Sequence, residues 1–380
     1  MKMKKAISCA VAAVMCMAFI SGCGGSKKQD VVKIGLLAPL TGGNAALGVG
    51  MKNSGQLAVD QANKSGKYPF KFELVAVDDA GDPSTAVAAM NKLIADKGIS
   101  AITGHFNSGC ALATAPVAHK AGVPFLVTGA IHPGITAKGY KEITRIITAA
   151  DIQNKYAGKL AATEWGIKTI ALINDRTDYG KTNAEQFGKA AEANGAKVIS
   201  MDGITVGQQD FAALLTKIKA TNPEAIYVPG YYEEVSKIIK QAREIGITVP
   251  MMGSDGWESP KLAEIAGKDA LKGCYYVSAF SAQDKDPSVQ KFIADYKAKY
   301  QKDPDIFAMQ GYNAGLVLFD AIKRAGTTDG TKLAKAIAET KDLPVASGKM
   351  TFDANHNPIM PALIISLEGG VPTLKEKIAL

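Results

Sequence analysis

Short apolar segments alternate with amphipathic helical segments from residue 31 onward, and this alternation restricts the fold more than any other feature of the chain. The predicted strands cover residues 31–38, 70–77, 99–104, 123–128, 169–174, 198–201, 225–228 and 249–252. The predicted helices cover residues 48–63, 83–97, 109–120, 151–164, 179–194, 210–219 and 232–245. Short apolar strands joined by helices form parallel sheets with helices on both faces. The sequence therefore predicts an α/β protein.

The number of strand–helix units favours two doubly wound parallel-sheet lobes over a single (β/α)₈ barrel. A new series of units begins near residues 148–151, which marks the break between the lobes. The length of 380 residues agrees with two or three domains of about 150 residues each. The last part of the chain is predicted to have helices at residues 287–300, 308–325 and 331–339, then strands at 349–352 and 359–367.

The first 23 residues have the pattern of an export signal. Three lysines precede an apolar run at residues 6–20, which is shorter than the about 20 residues that a transmembrane helix needs. The small residues directly before Cys23 resemble a bacterial lipobox, which implies that residues 1–22 are cleaved and that Cys23 carries a lipid. The alternative is an ordinary signal peptide with an incidental cysteine. Residues 23–30 are predicted to be a flexible tether.

Removal of this signal changes the charge and the cysteine count. The chain has 44 Lys+Arg and 36 Asp+Glu, and the loss of three lysines lowers its net charge from +8 to +5. No block of basic residues remains, so nucleic acid is not an expected partner. Only Cys110 and Cys274 are left as thiols. They are predicted to be buried and free in different lobes, and a disulfide between them is the alternative.

The chain contains no recognisable set of catalytic residues. None of its four histidines stands in an HExxH motif or a Cys/His metal spacing, and each is expected to be a surface or satisfied loop residue. Residues 180–182 (GKT) resemble only the end of a phosphate-binding loop, because Asp175 occupies the first glycine position. Asp78 and Asp79 could hold a metal or act as acid and base, but they are predicted to cap a strand end. The sequence thus predicts a binding protein without a cofactor or metal.

Polar and aromatic residues follow the predicted strands, where open α/β sheets bind ligands. Ser108 stands near a helix N-cap, so its hydroxyl and the free backbone N–H groups could hold an anion or simply cap the helix. Gly129 and Ala130 would let a ligand approach the backbone. Asp255 could hold an ammonium group beside Trp257, and a plain turn is the other interpretation of this segment.

A series of short motifs runs through nearly all of the chain beyond the signal. They are IGLLAPLTGG at residues 34–43, DDAGDP at 78–83, GHFNS at 104–108, TAKGYKEITR at 136–145, DGIT at 202–205, QAREIG at 241–246 and GSDGW at 253–257. Their order and coverage together are specific, although no single motif is. In these motifs the chain resembles the leucine/isoleucine/valine-binding protein family, the substrate-binding subunits of branched-chain amino acid ABC transporters.

This resemblance implies a type I periplasmic binding protein fold. Two α/β lobes would be joined by three crossovers, with the ligand between them and a hinge motion that buries it. The crossovers are placed near residues 148, 280 and 352. The first lobe would then comprise residues 31–148 and 280–352, and the second lobe residues 149–279 and 353–380.

The resemblance also implies roles for individual residues. Ser108 and nearby backbone N–H groups would receive the ligand's α-carboxylate, and the Gly129 carbonyl and the Asp255 carboxylate would meet its ammonium group. The other residues that it places in the site, most of them near the ligand's side chain, are Leu47, Phe106, Asn107, Ala130, Ile131, Tyr179, Tyr231 and Trp257.

The chain departs from the family pattern at two points. Family members often have Thr where this chain has Ile131, so a hydroxyl that helps to bind the ammonium group is missing. Some relatives have a disulfide between the positions that are Gly81 and Asn107 here. The missing hydroxyl weakens the amino-acid assignment or shifts the preference for the ligand's side chain.

The function that this resemblance implies is that of a monomeric, lipid-anchored solute-binding protein outside the cytoplasm. It would capture an aliphatic amino acid, most simply a branched-chain one, and deliver it to an ABC transporter permease. One alternative is another small carboxylate or an amide on the same fold. A second alternative is a ligand-sensing ectodomain. An enzyme is disfavoured because the catalytic residues are missing.

Overall fold

The computed structural model describes residues 30–378, so the predicted signal peptide and Cys23 lie outside the described residues. The strands are β1 (Val31–Ala38), β2 (Lys71–Asp78), β3 (Ile99–Gly104), β4 (Phe125–Val127), β5 (Ile143–Arg145), β6 (Thr169–Asn174), β7 (Lys197–Gly203), β8 (Ala225–Tyr227), β9 (Met251–Gly253), β10 (Cys274–Ser278), β11 (Leu343–Val345), β12 (Gly348–Met350), β13 (Ala362–Ser366) and β14 (Thr373–Ile378). The α-helices are α1 (Ala45–Ser65), α2 (Pro83–Ala95), α3 (Ser108–Ala121), α4 (Ala150–Thr163), α5 (Asp178–Ala193), α6 (Ala212–Ala220), α7 (Tyr232–Glu244), α8 (Pro260–Ala266), α9 (Pro287–Tyr300), α10 (Ile306–Ala325) and α11 (Gly330–Ala338). Within the described part of the chain, no helix has the length and apolar character needed to cross a membrane.

The first sheet has five parallel strands in the order β2-β1-β3-β4-β5. Successive residues of a strand point to opposite faces of a sheet. Leu126 therefore packs with side chains of α1, α10 and α11, whereas Phe125 and Val127 pack with α2 and α3. Both faces are covered by helices, as the sequence predicts. We call this sheet, with α1–α3 and α9–α11, the first lobe.

The second sheet has seven strands in the order β14-β13-β10-β9-β8-β6-β7. Strands β6–β10 are parallel, and β13 and β14 extend the β10 edge in antiparallel fashion. Leu172 and Tyr227 face α4 and α5, where the Tyr227 ring stacks on Phe187 with 3.8 Å between the ring centroids. Ile173 and Ile226 face α6–α8 on the other side. We call this sheet, with α4–α8, the second lobe.

Neither lobe is built from one continuous stretch of chain. Strands β1–β5 belong to the first sheet and β6–β10 to the second, and helices α9–α11 then return to the first lobe. Strands β13 and β14 finally join the second sheet. The position of the crossovers near residues 148, 280 and 352 stays a prediction.

Aspartate caps define the beginnings of several helices. Asp82 accepts a hydrogen bond from the Thr85 N–H at 2.8 Å, and Pro83 is the first residue of α2, as predicted. Asp305 caps α10 in the same way through the Ala308 N–H at 2.7 Å. Each such cap stabilises its helix by about 1 kcal/mol relative to alanine.

Most predicted elements are found with their ends shifted by at most three residues. Strands at 31–38, 99–104 and 169–174 match without any shift. The sequence patterns did not predict the strands β5, β10, β11 and β14 or the helix α8. β5 has only three residues, too few to show a pattern, and β14 (TLKEKI) carries the charges typical of a sheet edge, which is where it lies.

The two thiols are buried and free, as predicted. Cys110 lies in α3 of the first lobe and Cys274 in β10 of the second. Burial raises the pKa of both thiols, to about 11 for Cys274. They therefore stay protonated and unreactive at neutral pH.

Candidate functional site

The end of β3 and the start of α3 present polar atoms that have no partner among the described residues. The chain passes from Gly104 through Phe106 to Asn107, which is the N-cap of α3 but makes no side-chain capping bond. Ser108 is the first residue of the helix. Among the described residues, Ser108 Oγ and Asn107 Oδ1 are buried and have no hydrogen-bond partner. The helix N-terminus adds free backbone N–H groups here, so this end of the first sheet is suited to an anion.

The segment after β4 packs closely against Phe106. The Gly129 N–H donates to the His105 carbonyl at 2.9 Å. A Cβ atom at Gly129 would lie 3.2 Å from both the Phe106 Cα and the Phe307 Cδ1, so a side chain at this position would crowd its neighbours. The next two residues point to opposite faces, with Ile131 on the Phe106 side and Ala130 in the core between the sheet and α2–α3. Of Ala130, only the backbone can therefore serve the site.

On the second lobe, Tyr179 and Asp255 form a buried hydrogen-bonded group. The Tyr179 hydroxyl donates to Asp255 Oδ1 at 2.8 Å, accepts from the Gly256 N–H at 2.8 Å, and lies 2.6 Å from Ser254 Oγ. Asp255 Oδ2 is buried and, within residues 30–378, unpartnered. Burial raises the pKa of Asp255 to about 7, against the opposing effect of the Tyr179 hydrogen bond. This carboxyl group would be better matched by a cation than by any protein group now near it.

Aromatic rings join the two lobes. Tyr231 stacks on Tyr179 with 4.7 Å between centroids and lies 5.2 Å from Phe106 of the first lobe. Phe106 in turn meets the Phe307 ring edge-on at 4.5 Å. Six predicted site residues thus belong to one apolar cluster, which also contains Met51 and Phe307; the six are Leu47, Phe106, Ile131, Tyr179, Tyr231 and Trp257.

Trp257, a member of this cluster, is held in place by a hydrogen bond. Its indole N–H donates to the Val228 carbonyl at 2.8 Å, and the ring is fully buried. A Cβ atom at Gly253 would lie 2.1 Å from the indole, so only glycine leaves room for it. Trp257 therefore packs at the end of the second sheet, and its indole N–H is already hydrogen-bonded to the backbone.

A direct contact also links the loop after β1 to α7. The Tyr232 hydroxyl donates to the Gly43 carbonyl at 2.6 Å. A Cβ atom at Gly43 would lie 2.4 Å from Glu233 Oε2, so a side chain at this position would displace the end of the flexible Glu233 side chain. The two lobes are thus in contact through the aromatic rings and through this hydrogen bond, which is the arrangement of a closed cleft.

Sequence reasoning missed several residues of this region. Phe307 and Met51 complete the apolar wall, but neither follows a predicted strand. Thr148 and Gln153 have buried side-chain oxygens without a partner among the described residues, and the sequence drew attention to residue 148 only as a crossover. The burial of these oxygens without a partner depends on distant segments of the chain, which no local sequence pattern reveals.

The paired aspartates cap a strand end, as predicted. Asp78 Oδ1 accepts the N–H groups of Leu40 and Ala80 at 2.8 Å, and Asp79 Oδ1 accepts the Gly81 N–H at 2.9 Å. His105 agrees with the expectation of a loop histidine that is paired within the protein. It is fully buried, and its Nδ1 lies 2.5 Å from Oδ2 of Asp79, the residue that follows β2.

Asp79, His105 and Cys110 form the group of the described residues that comes nearest to a metal site. One potential ligand atom of each lies within 4.8 Å of the others. Metal ligation needs the thiolate, and burial raises the pKa of Cys110. The group therefore fits a buried structural cluster better than a metal site.

Gly81 and Asn107, which correspond to the disulfide positions of some relatives, lie next to each other in this chain. A Cβ atom at Gly81 would lie 3.0 Å from Asn107 Oδ1.

Comparison with known proteins agrees with this architecture. Residues 31–371 match the family model of periplasmic binding proteins. The chain is 34 % identical over 330 residues to the leucine-, isoleucine-, valine-, threonine- and alanine-binding protein of Pseudomonas aeruginosa, covering 86 % of this chain and 87 % of that one.

Two solved structures have the same fold over most of the chain. The leucine-binding protein LivK of Thermotoga maritima gives a TM-score of 0.87 at 31 % identity, covering 92 % of this chain and 99 % of that one. The branched-chain amino acid substrate-binding protein LivJ of Streptococcus pneumoniae, solved with isoleucine, gives 0.86 at 29 % identity with the same coverage. The chain belongs to the periplasmic binding protein family, in its leucine/isoleucine/valine-binding branch.

Proposed function

We propose that this chain is an extracytoplasmic substrate-binding protein that captures an aliphatic α-amino acid, most simply a branched-chain one, and hands it to an ABC transporter permease. The observation that carries the proposal is the Asp255 carboxyl group, buried on the second lobe with Oδ2 unpaired among the described residues. The family consists of solute-binding proteins, which favours binding over catalysis.

The polar groups of the cleft match the two charges of a zwitterion. A buried charge is costly unless an opposite charge or hydrogen bonds compensate it. Ser108 Oγ and the N-terminus of α3 supply donors for the α-carboxylate. Asp255 supplies the opposite charge for the ammonium group. A ligand with both groups would satisfy both lobes at once, and this favours the closed state.

The apolar residues between these polar groups select the ligand's side chain. Leu47, Phe106 and Tyr231 come from both lobes and belong to one buried cluster. Such a wall favours an aliphatic side chain over a charged one. The relatives that bind leucine and isoleucine have the same fold, which supports this choice.

The remaining parts of the proposal concern the cell. The lipobox-like sequence supports a lipid on Cys23 that holds the domain at the membrane, with residues 23–30 as a tether. Such an anchor suits a monomer that delivers its ligand to a permease in the same membrane. A second candidate ligand, a small carboxylate without an ammonium group, is favoured by the missing hydroxyl at Ile131, whereas the acidic Asp255 disfavours it.

A thermal-shift screen of the purified protein against all amino acids, small amides and organic acids tests the proposal. A ligand that binds only the folded state raises the melting temperature by mass action. We expect the largest shifts from leucine, isoleucine and valine. The absence of a shift with every amino acid would overturn the assignment, and a shift with organic acids alone would favour the second candidate.

A further inference from the structure

A cavity of about 320 Å³ lies beside β10 and β13 of the second sheet. Tyr276 of β10 and Ile365 of β13 pair with each other across the two strands and line the cavity from the second lobe. Pro304 and Asp305, which precede α10, line it from the first lobe. Its lining contains none of the residues predicted for the ligand site. The second-lobe residues of that site follow β6, β8 and β9, so the cavity is a separate place in the fold.

The walls of this cavity are mostly apolar. The rings of Tyr276 and Phe280 contribute to them, together with the side chains of Pro260, Ile365 and Pro372. Phe280 belongs to the connection from β10 to α9, through which the chain returns to the first lobe. A concave apolar lining of this size is suited to a small organic molecule.

The charged residues of the lining are all acidic. They are Glu258, Asp303 and Asp305, and the lining includes no lysine, arginine or histidine of the described residues. Asp303 is exposed and paired with Lys297 at 2.7 Å, so its charge is compensated. The other two carboxyl groups give the cavity an acidic character, which favours a cationic ligand.

Glu258 and Asp305 come from different lobes and form no ion pair within the described residues. Glu258 is 7 % exposed and accepts the Ile306 N–H at 2.8 Å and the Ser278 hydroxyl at 2.6 Å. Burial raises the pKa of Asp305 to about 7. Burial also raises the pKa of Glu258, and the charge of Asp305 raises it further. Acidic groups in such a place are normally accompanied by a cation.

The Tyr276 hydroxyl adds an independent sign of a ligand. Tyr276 is 2 % exposed, yet among the described residues its hydroxyl has no hydrogen-bond partner. Burial raises its pKa, and the charges of Glu258 and Asp305 raise it further, which shows that the hydroxyl lies near both carboxyl groups. A buried tyrosine hydroxyl usually finds a partner, so this one is available to a molecule in the cavity.

We propose that this cavity is a second binding site, which takes a small primary amine with an apolar body. The ammonium group lies between the carboxyl groups of Glu258 and Asp305 and the Tyr276 hydroxyl, so that its three N–H donors meet three acceptors. The apolar body packs against the Phe280 ring and the other apolar walls. This site is additional to the proposed amino-acid site, and its occupant contacts both lobes.

Calorimetric titration of the purified protein with phenethylamine tests the proposal. The matched neutral ligand is 2-phenylethanol, which has the same apolar body and a hydroxyl in place of the ammonium group. We expect the amine to bind at least about tenfold more tightly, because only the amine compensates the two carboxyl groups. Saturation with L-leucine should leave this binding in place, since the two sites share no lining residue.

Variants of the cavity separate recognition from folding. Asp305→Asn removes the charge but keeps a side chain that caps α10 well, so phenethylamine affinity should fall about tenfold or more while L-leucine binding stays unchanged. Asp329→Asn is the matched control, because Asp329 caps α11 through the Lys332 N–H at 3.0 Å and does not line the cavity. Tyr276→Phe should weaken amine binding without lowering the melting temperature of the amine-free protein.

Asp255→Ala shows which site the amine occupies, whatever ligand the cleft takes. This variant should bind phenethylamine nearly as well as the wild type, whereas Asp305→Asn should not. The opposite pattern would place the amine in the cleft and overturn the proposal. Equal affinity for amine and alcohol, unchanged amine affinity in Asp305→Asn, or no binding of the amine up to millimolar concentration would each overturn it as well.

Discussion

The two walls of the cleft differ in the kind of polar group they offer. The wall of the first lobe presents Ser108 and Asn107 at a helix N-terminus, so its positive potential comes from neutral dipoles. The wall of the second lobe presents Asp255, a buried carboxyl group held by Tyr179. Because one wall offers dipoles and the other a formal charge, we expect the two lobes to contribute unequally to the free energy of ligand binding. Removal of the charge should cost more than removal of a dipole.

The largest effect is expected from Asp255→Ala. The substitution leaves the ligand's ammonium group without its opposite charge in a buried place, so affinity for L-leucine should fall more than about a hundredfold. Isothermal titration measures this loss, and circular dichroism checks that the variant is folded. Unchanged affinity in a folded variant would mean that the second wall does not bind the ammonium group.

The pH dependence of binding should follow the same carboxyl group. Its pKa in the ligand-free protein is raised to about 7, so acidification neutralises Asp255 while the ligand's ammonium group stays charged. Affinity for L-leucine should therefore fall about tenfold for each pH unit below that value. Titrations across this range in the wild type and in Asp255→Asn test it, because the variant should lose the dependence.

The ligand-free protein should show the opposite trend. A carboxyl group whose pKa is higher in the folded than in the unfolded state stabilises the fold at low pH, and this contribution is lost as pH rises through the folded value. Asp255 therefore makes the ligand-free fold less stable as pH rises from 3.8, the ordinary aspartate value, to about 7, with no further change above that pH. Asp255→Asn should reduce this slope in thermal melts without ligand, which separates the two effects of pH.

A smaller effect is expected from Ser108→Ala on the first wall. The hydroxyl donates one of several hydrogen bonds to the α-carboxylate, and the backbone N–H groups of α3 remain in place. Affinity should fall about tenfold, the usual cost of one hydrogen bond to a charged group. A loss as large as that of Asp255→Ala would contradict the unequal contribution of the two walls.

The apolar runs and capping residues of the sequence were sufficient to predict the order of most helices and strands. Most strands of the two sheets are apolar runs of a few residues, and caps such as Asp82 act on the next helical turn, so both signals are local. Ser108 and Asp255 could be predicted as site residues because residues after strand ends meet at one edge of a sheet. Short or charged strands such as β5 and β14 could not be found this way.

Tertiary contacts decided how these residues are used. The buried His105 finds its partner in Asp79, which follows β2 and is distant in the sequence. Ala130 and Ile131 are neighbours in the chain, yet the direction of the backbone sends their side chains to different cores.

Thr148 gives the same lesson most clearly. Its hydroxyl is buried without a partner among the described residues, at a place where the chain continues the pairing of β5 with β4. The sequence by itself determined the α/β class, the order of the elements and the charged groups available for a ligand, since burial and capping act over a few residues. Only the tertiary structure decided which polar atoms stay unpaired beside the cleft, because that depends on distant segments which satisfy some groups and leave others for the ligand.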